Sequence, residues 1–241
     1  TFRGELGQFF TPRTLVDYIV GVLDPEEGET ICDPCSGSGG FLIKAFEYVR
    51  NKIEQDIKKE KEKLQEKFGD SQDIYNRLSA QLNEELLINN ENGRMYQLSH
   101  NCIYGTDANP RMARVSKMNM IMHGDGHGGV YHHDGLLNVN GIFEERFDVI
   151  ITNPPFGSQV RDDVKITSED LLDQGAISEY IRKYKKEYPN YEATLLTKDD
   201  IGKKINEKFK IGSKLTEVLF IERCLNLLKK GGRMGIVLPE G

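Results

Sequence analysis

The stretch "ETICDPCSGSGGFLIKAFEYV", Glu29 to Val49, changes character twice. A short apolar run reaches Asp33 and Pro34 and meets a glycine-rich turn, "CSGSGG", after which apolar residues resume at helical spacing. The pattern is strand, tight turn, helix. Glycines at 37, 39 and 40 let the backbone pass close to a ligand and present N–H groups to it, as a nucleotide-type cofactor requires.

Working outward, "TPRTLVDYIVGVL" places Leu15, Tyr18, Ile19, Val22 and Leu23 at helical spacing, with Thr11 as N-cap and Pro12 in the first turn. This is a leading helical segment, 1–28. Beyond Val49 the charges alternate in sign while Ile53, Ile57 and Leu64 keep one face, and Ile74, Leu78, Leu82 and Leu86 mark a returning helix. A charged helical hairpin is expected as an insertion, 51–96. "NCIYGTD" reads as a second strand, and Asn109 and Pro110 open the helix after it. "GVYHHD", "FDVIIT" and "GRMGIVLP" read as three more strands, the last preceded by the amphipathic helix "LTEVLFIERCLNLLKK" with Gly231-Gly232 as its stop. Strands alternating with helices imply an α/β fold, a doubly wound and mostly parallel sheet in one domain over 1–241. The polar Lys- and Tyr-rich stretch 158–213 reads as a lid or surface excursion.

Composition excludes several classes. With 241 residues, 38% hydrophobic and 29% charged, the chain can bury a full core. No apolar run approaches the ~20 residues that span a bilayer, so no membrane association is expected. Four cysteines are too few for a disulfide scaffold, which points to reduced thiols and a cytoplasmic setting. A net charge of -6 argues against indiscriminate nucleic-acid binding by the whole surface, though not against a local basic groove. Thr1 in place of an initiator Met, no leader pattern, and an end just after a core strand suggest a piece of something longer, truncated after the fifth strand.

Ligands of open α/β sheets sit beyond the carboxyl ends of the strands. Three such ends carry chemistry here: Asp33 with its glycine turn, Asp107, and Asn153. A carboxylate closing the second strand is where such folds hold ribose hydroxyls, and the charged hairpin explains its unusual distance from the turn. In "NPPF", Asn153 to Phe156, the prolines cannot extend a ladder; they stiffen the corner and leave carbonyls free. With the Asn153 side-chain oxygen they form paired acceptors beside an aromatic face, a cradle for a flipped planar ring bearing an exocyclic NH2. An amide aligns and polarises that nitrogen and does not act as a strong base.

"NPPF" with "DPCSGSGGF" resembles the paired signatures of S-adenosylmethionine-dependent amino-methyltransferases of nucleobases. More narrowly, "GQFFTPRTLVDYIV", "YGTDANP" and "NPPFG", in that order, resemble the modification (M) subunit of type I restriction-modification systems, an N6-adenine DNA methyltransferase. The resemblance implies a Rossmann-like methyltransferase fold and S-adenosyl-L-methionine as cofactor. It implies Gln8, Phe9, Phe10, Thr11, Pro12 and Arg13 over the cofactor's methionine end, and Asp33, Gly37, Ser38 and Gly39 around its loop. Asp107 would take the ribose hydroxyls and Asp134 would meet the cofactor adenine, with Asp125 as a rival. Asn153, Pro154, Pro155 and Phe156 would hold the target adenine. DNA, a specificity subunit and a restriction subunit are the implied partners. Such turns also occur in methyltransferases resembling those that act on RNA bases and on protein glutamine, and a non-catalytic assembly role on the same scaffold is a further alternative. Family members are longer, with a helical domain before this region and more strands after it.

Three other features compete. Cys32 and Cys35 form C-x-x-C, but the glycines that follow would spoil the helix start a redox dithiol uses. His123, His127, His132 and His133 suggest zinc only superficially, since glycines break the helix that would align the first two, and no metal is expected. The run "KKINEKFKIGSK" could contact DNA phosphates, or be a solvated face.

Overall fold

A computed structural model describes residues 10–125 and 129–240. The strands are β1 (Ile31–Asp33), β2 (Ile103–Asp107), β3 (Val130–His132), β4 (Phe147–Thr152) and β5 (Leu228–Ile236). They form one parallel sheet in the order β3-β2-β1-β4-β5. Chain order reverses between β1 and β4, the crevice where open sheets take ligands.

The helices are α1 (Arg13–Leu23), α2 (Gly40–Phe68), α3 (Gln72–Glu84), α4 (Arg94–Gln97), α5 (Pro110–Met122), α6 (Gln174–Tyr184), α7 (Tyr191–Thr194) and α8 (Thr216–Leu227). Strand residues alternate between two apolar layers, as a pleated strand must. Ile31, Ile103, Val130, Val149 and Ile151 meet α1 and α2 through Val16, Val20, Leu42, Ala45, Phe46 and Val49. Cys32, Tyr104 and Ile150 face the other way, toward Cys224 and Leu227 of α8. Covered on both faces, these strands read as continuous apolar runs.

The charged hairpin is present as α2, which runs 29 residues, and α3 folded back against it. None of the α3 residues is fully buried, and its link to the core passes through Leu82 and Leu86. Segment 158–213 is packed: Val160, Ile166, Leu196, Ile205 and Phe209 join Leu219 and Phe220 of α8 in a second core. Tyr184 and Tyr191 pack edge-on against Phe143. Lys204 and Lys214 both pair with Asp162, and Lys203 with Asp200, so the Lys-rich run is partly neutralised from within.

Two local expectations need correction. Thr11 does not cap α1: the helix begins at Arg13, so Pro12 holds the N-cap position with no side-chain cap, and the Thr11 hydroxyl is engaged elsewhere. Gly231-Gly232 does not stop α8, which ends at Leu227 with β5 starting at Leu228. The two glycines lie inside β5, where its pairing with β4 shifts register between Phe147 and Val149. A Cβ on Gly232 would sit 3.0 Å from the Phe147 carbonyl oxygen, so the irregular strand, and not a helix end, is what requires glycine there.

Candidate active site

The carboxyl ends of β1, β2 and β4 open onto one cavity of about 340 Å³, the lower end of the range for small-molecule sites. Phe10, Thr11, Asp33, Gly37, Ser38, Asp107, Asp134, Asn153, Pro154 and Pro155 line it. Pro12, Arg13, Gly39 and Phe156 do not; Pro12 and Arg13 are exposed at the start of α1, and Phe156 is half-buried. Gln8 and Phe9 lie outside the described residues, as does His127. Asp125 is buried at the end of α5, before β3 and away from the cavity, so of the two rival aspartates only Asp134 reaches it.

β1 ends in Asp33, 1% exposed, whose Oδ1 accepts from the Thr152 hydroxyl at 2.6 Å and the Cys35 N–H at 2.9 Å. Burial pushes its carboxyl up to about 7, against the pull of those two donors. The turn beyond it is left-handed at Gly37 (φ 53°) and Gly39 (φ 87°), and a Cβ on Gly39 would lie 2.7 Å from Ser116 Oγ on α5. Glycine is therefore required both by conformation and by close packing.

Most of this turn's N–H groups are already spent. Cys35 donates to Asp33, Ser36 to the Thr106 carbonyl, Gly37 to Asp107 and Gly39 to the Ser36 carbonyl. Ser38 and Gly40 alone keep N–H groups with no acceptor among the described residues. The expectation of a turn offering a row of donors is thus narrowed to two, because the turn must first satisfy its own buried backbone.

Asp107, at the end of β2, ties two loops together: Oδ2 accepts from Gly37 N at 2.9 Å and Oδ1 from Asn109 N at 2.7 Å. Each oxygen keeps a lone pair for a ligand hydroxyl. Asn109 caps α5 as expected, its Oδ1 accepting from Arg111 N at 2.9 Å. Burial raises the carboxyls of both Asp107 and Asp134. Three carboxyl groups thus face a cavity with no Lys or Arg among its described lining residues, so a cation bound there would favour their ionised forms.

At the end of β4 the Asn153 Nδ2 donates to Thr11 Oγ1 at 3.0 Å, while its Oδ1 is buried and has no partner. Two prolines follow without N–H groups. Their carbonyls are not equivalent: Pro155 accepts from the Thr216 hydroxyl at 2.9 Å, so the expectation that both stay free holds only for Pro154. An unpartnered buried acceptor costs about 1–3 kcal/mol, which a native site retains when a ligand supplies the donor. Val16, Phe41, Met112 and Phe220 complete an apolar wall that sequence spacing did not single out. Thr152, directly before Asn153, was the nearest available signal for the Asp33 contact.

Cys32 and Cys35 are both free, and burial raises both thiols, the reverse of what an attacking redox thiol needs. Among the described residues His123 pairs with Glu47 at 2.8 Å and no cluster of three metal-ligating side chains occurs.

Residues 2–188 match the model of a family described as N-6 DNA Methylase. The chain is 26% identical over 239 residues to the type I restriction enzyme EcoEI methylase subunit of Escherichia coli, covering 99% of this chain and 34% of that protein. It is 32% identical over 174 residues to the MjaIX methylase subunit of Methanocaldococcus jannaschii, covering 70% of this chain and 22% of that one. The crystal structure of the type I restriction enzyme EcoKI M protein shares the fold, with a TM-score of 0.56 at 19% identity over 96% of this chain and 34% of that one. This chain therefore spans about a third or less of the length of these relatives. Because the family match runs through the glycine turn, Asp107 and the Asn153 corner alike, this chain belongs to the N-6 DNA methylase family.

Proposed function

We propose that the chain carries out S-adenosylmethionine-dependent methyl transfer to N6 of adenine in DNA, as the modification subunit of a type I restriction-modification system. The observation that carries this reading is the orphaned Oδ1 of Asn153, buried in the same cavity as the glycine turn and Asp107.

The residues present fit the cofactor. Asp107 keeps acceptor capacity for ribose hydroxyls, Ser38 and Gly40 keep N–H groups, and Asp33 and Asp134 add the acidic character that a sulfonium and an ammonium group favour. S-adenosylmethionine supplies an electrophilic methyl group when bound. The chain's own work is positioning. Thr11 takes the amide hydrogen of Asn153, so that Oδ1 can point only as an acceptor. Together with the Pro154 carbonyl it would receive the two hydrogens of the adenine amine and draw the nitrogen lone pair out of conjugation with the ring. Phe156, next in the chain, would offer a face to the extruded base. Asp134 would meet the adenine of the cofactor, and Phe10 and Thr11 would approach it from the leading segment.

Relatives named as methylase subunits of type I restriction enzymes favour DNA over RNA or protein glutamine as acceptor. The same resemblance supports a specificity subunit and a restriction subunit as partners in the cytoplasm. Among the described residues no helix is long and apolar enough to cross a membrane. The test is tritium transfer from labelled S-adenosylmethionine to DNA, RNA and protein, by the full chain alone and with its specificity subunit. Label at N6 of adenine in DNA is the expected result; label in RNA or glutamine would move the acceptor, and no cofactor binding by calorimetry would remove the reading.

A further inference from the structure

Resting on the function just proposed, we infer that Thr216 is a positioning residue for the Asn153 corner. It caps the Pro155 carbonyl and so fixes which backbone oxygen stands beside Asn153 Oδ1 as the second acceptor.

Thr216 is the first residue of α8, fully buried, and far in sequence from the corner it touches. Its hydroxyl lies 2.9 Å from the Pro155 carbonyl oxygen, 3.1 Å from that of Ser158 and 3.2 Å from Glu217 Oε2. A hydroxyl has one hydrogen to give. Ser158 already receives the Thr216 backbone N–H at 3.0 Å, whereas Pro155 has no other donor among the described residues. The hydroxyl hydrogen therefore belongs to Pro155.

The surrounding backbone makes this contact rigid. Val160 N donates to the Lys214 carbonyl at 2.8 Å, and Gln159 and Leu215 form an isolated antiparallel bridge. The leg leaving the corner is thus zipped to the start of α8, just as the leg entering it is fixed by Thr152 on Asp33 and by Thr11 on Asn153. A corner built from two prolines has no N–H with which to hold itself. Three hydroxyls hold it instead: Thr11 before α1 accepts from the Asn153 amide, Thr152 in β4 donates to Asp33, and Thr216 in α8 donates to the Pro155 carbonyl.

Thr216→Val keeps the side-chain shape and removes the donor, leaving the Pro155 carbonyl free to turn and compete with that of Pro154. Thr216→Ser keeps the donor. Wild-type and variant chains, each assembled with the specificity subunit, are compared in methyl transfer to DNA and in calorimetric affinity for S-adenosylmethionine. For Thr216→Val, kcat should fall by about 10- to 100-fold, the scale of an ångström-sized misplacement. Cofactor affinity should stay within about threefold, and Thr216→Ser should restore most of the rate. Unchanged kcat in Thr216→Val, a parallel loss of cofactor affinity, or no rescue by serine would each overturn the assignment. A wild-type assembly that neither binds S-adenosylmethionine nor transfers a methyl group would instead remove the functional reading on which it rests.

Discussion

The two loops that meet in the cavity treat their hydrogen bonds in opposite ways. The glycine turn after β1 spends four of its six N–H groups within the protein, on Asp33, Thr106, Asp107 and Ser36, and keeps those of Ser38 and Gly40. The proline corner after β4 has no N–H to spend at its center, is held from outside by hydroxyls, and leaves Asn153 Oδ1 buried with no partner. One loop is largely self-satisfied and offers a ligand two donors on a fixed shape. The other keeps unsatisfied chemistry that only a ligand can complete, and its stability depends on distant parts of the chain.

That contrast can be broken or sharpened by four substitutions. The largest effect belongs to Asn153→Ala, which should cut methyl transfer about 10²- to 10³-fold, the cost of losing one preorganised charge-stabilising group. Cofactor affinity should barely change and thermal stability should hold or rise, because an orphaned acceptor is removed. Retained turnover, or a marked loss of stability, would place the corner with the finished structure and not with the chemistry.

Next comes Asp33→Asn, read through pH. The ordinary carboxyl value is 3.8 and the folded value about 7, so across that window the folded chain holds a proton that the unfolded chain has released. Rising pH therefore erodes stability through the window, by roughly a few kcal/mol. In urea titrations the asparagine variant should gain on wild type as pH climbs from about 4 to 7; a constant difference would show that Asp33 ionises normally.

Gly39→Ala should destabilise by about 1–3 kcal/mol, through both crowding against Ser116 and the left-handed backbone. A neutral result would mean that the turn is looser than its contacts imply. Smallest is Asp107→Asn, expected to weaken S-adenosylmethionine binding roughly tenfold, or 1.4 kcal/mol, with kcat at saturating cofactor little changed. Calorimetry showing wild-type affinity would deny Asp107 its ribose role.

Much of this was legible beforehand because the signals are local. Strand runs, the glycine turn, Asn109 as a cap and the alternating charges of the hairpin depend on neighbours within a few residues. Where a residue has both a local and a distant role, the sequence shows only the local one. Thr11 sits where a helix cap would but bonds Asn153, 142 positions away. Gly231-Gly232 sits where a helix stop would but serves an irregular strand beside Phe147. Segment 158–213 showed weak periodicity because its apolar residues serve the packing of short elements onto α8, and not one long helical face.

The sequence by itself determined the order of elements and the kinds of atoms available at each strand end: carboxylates after β1 and β2, an amide and carbonyls after β4. Tertiary structure alone decided which of those atoms remain open. Thr11 and Thr216 reach the corner across 142 and 61 positions, and a hydrogen bond between residues so far apart leaves no periodic trace in the chain. It exists only because packing on both faces of the sheet brings the two ends of the segment to one place.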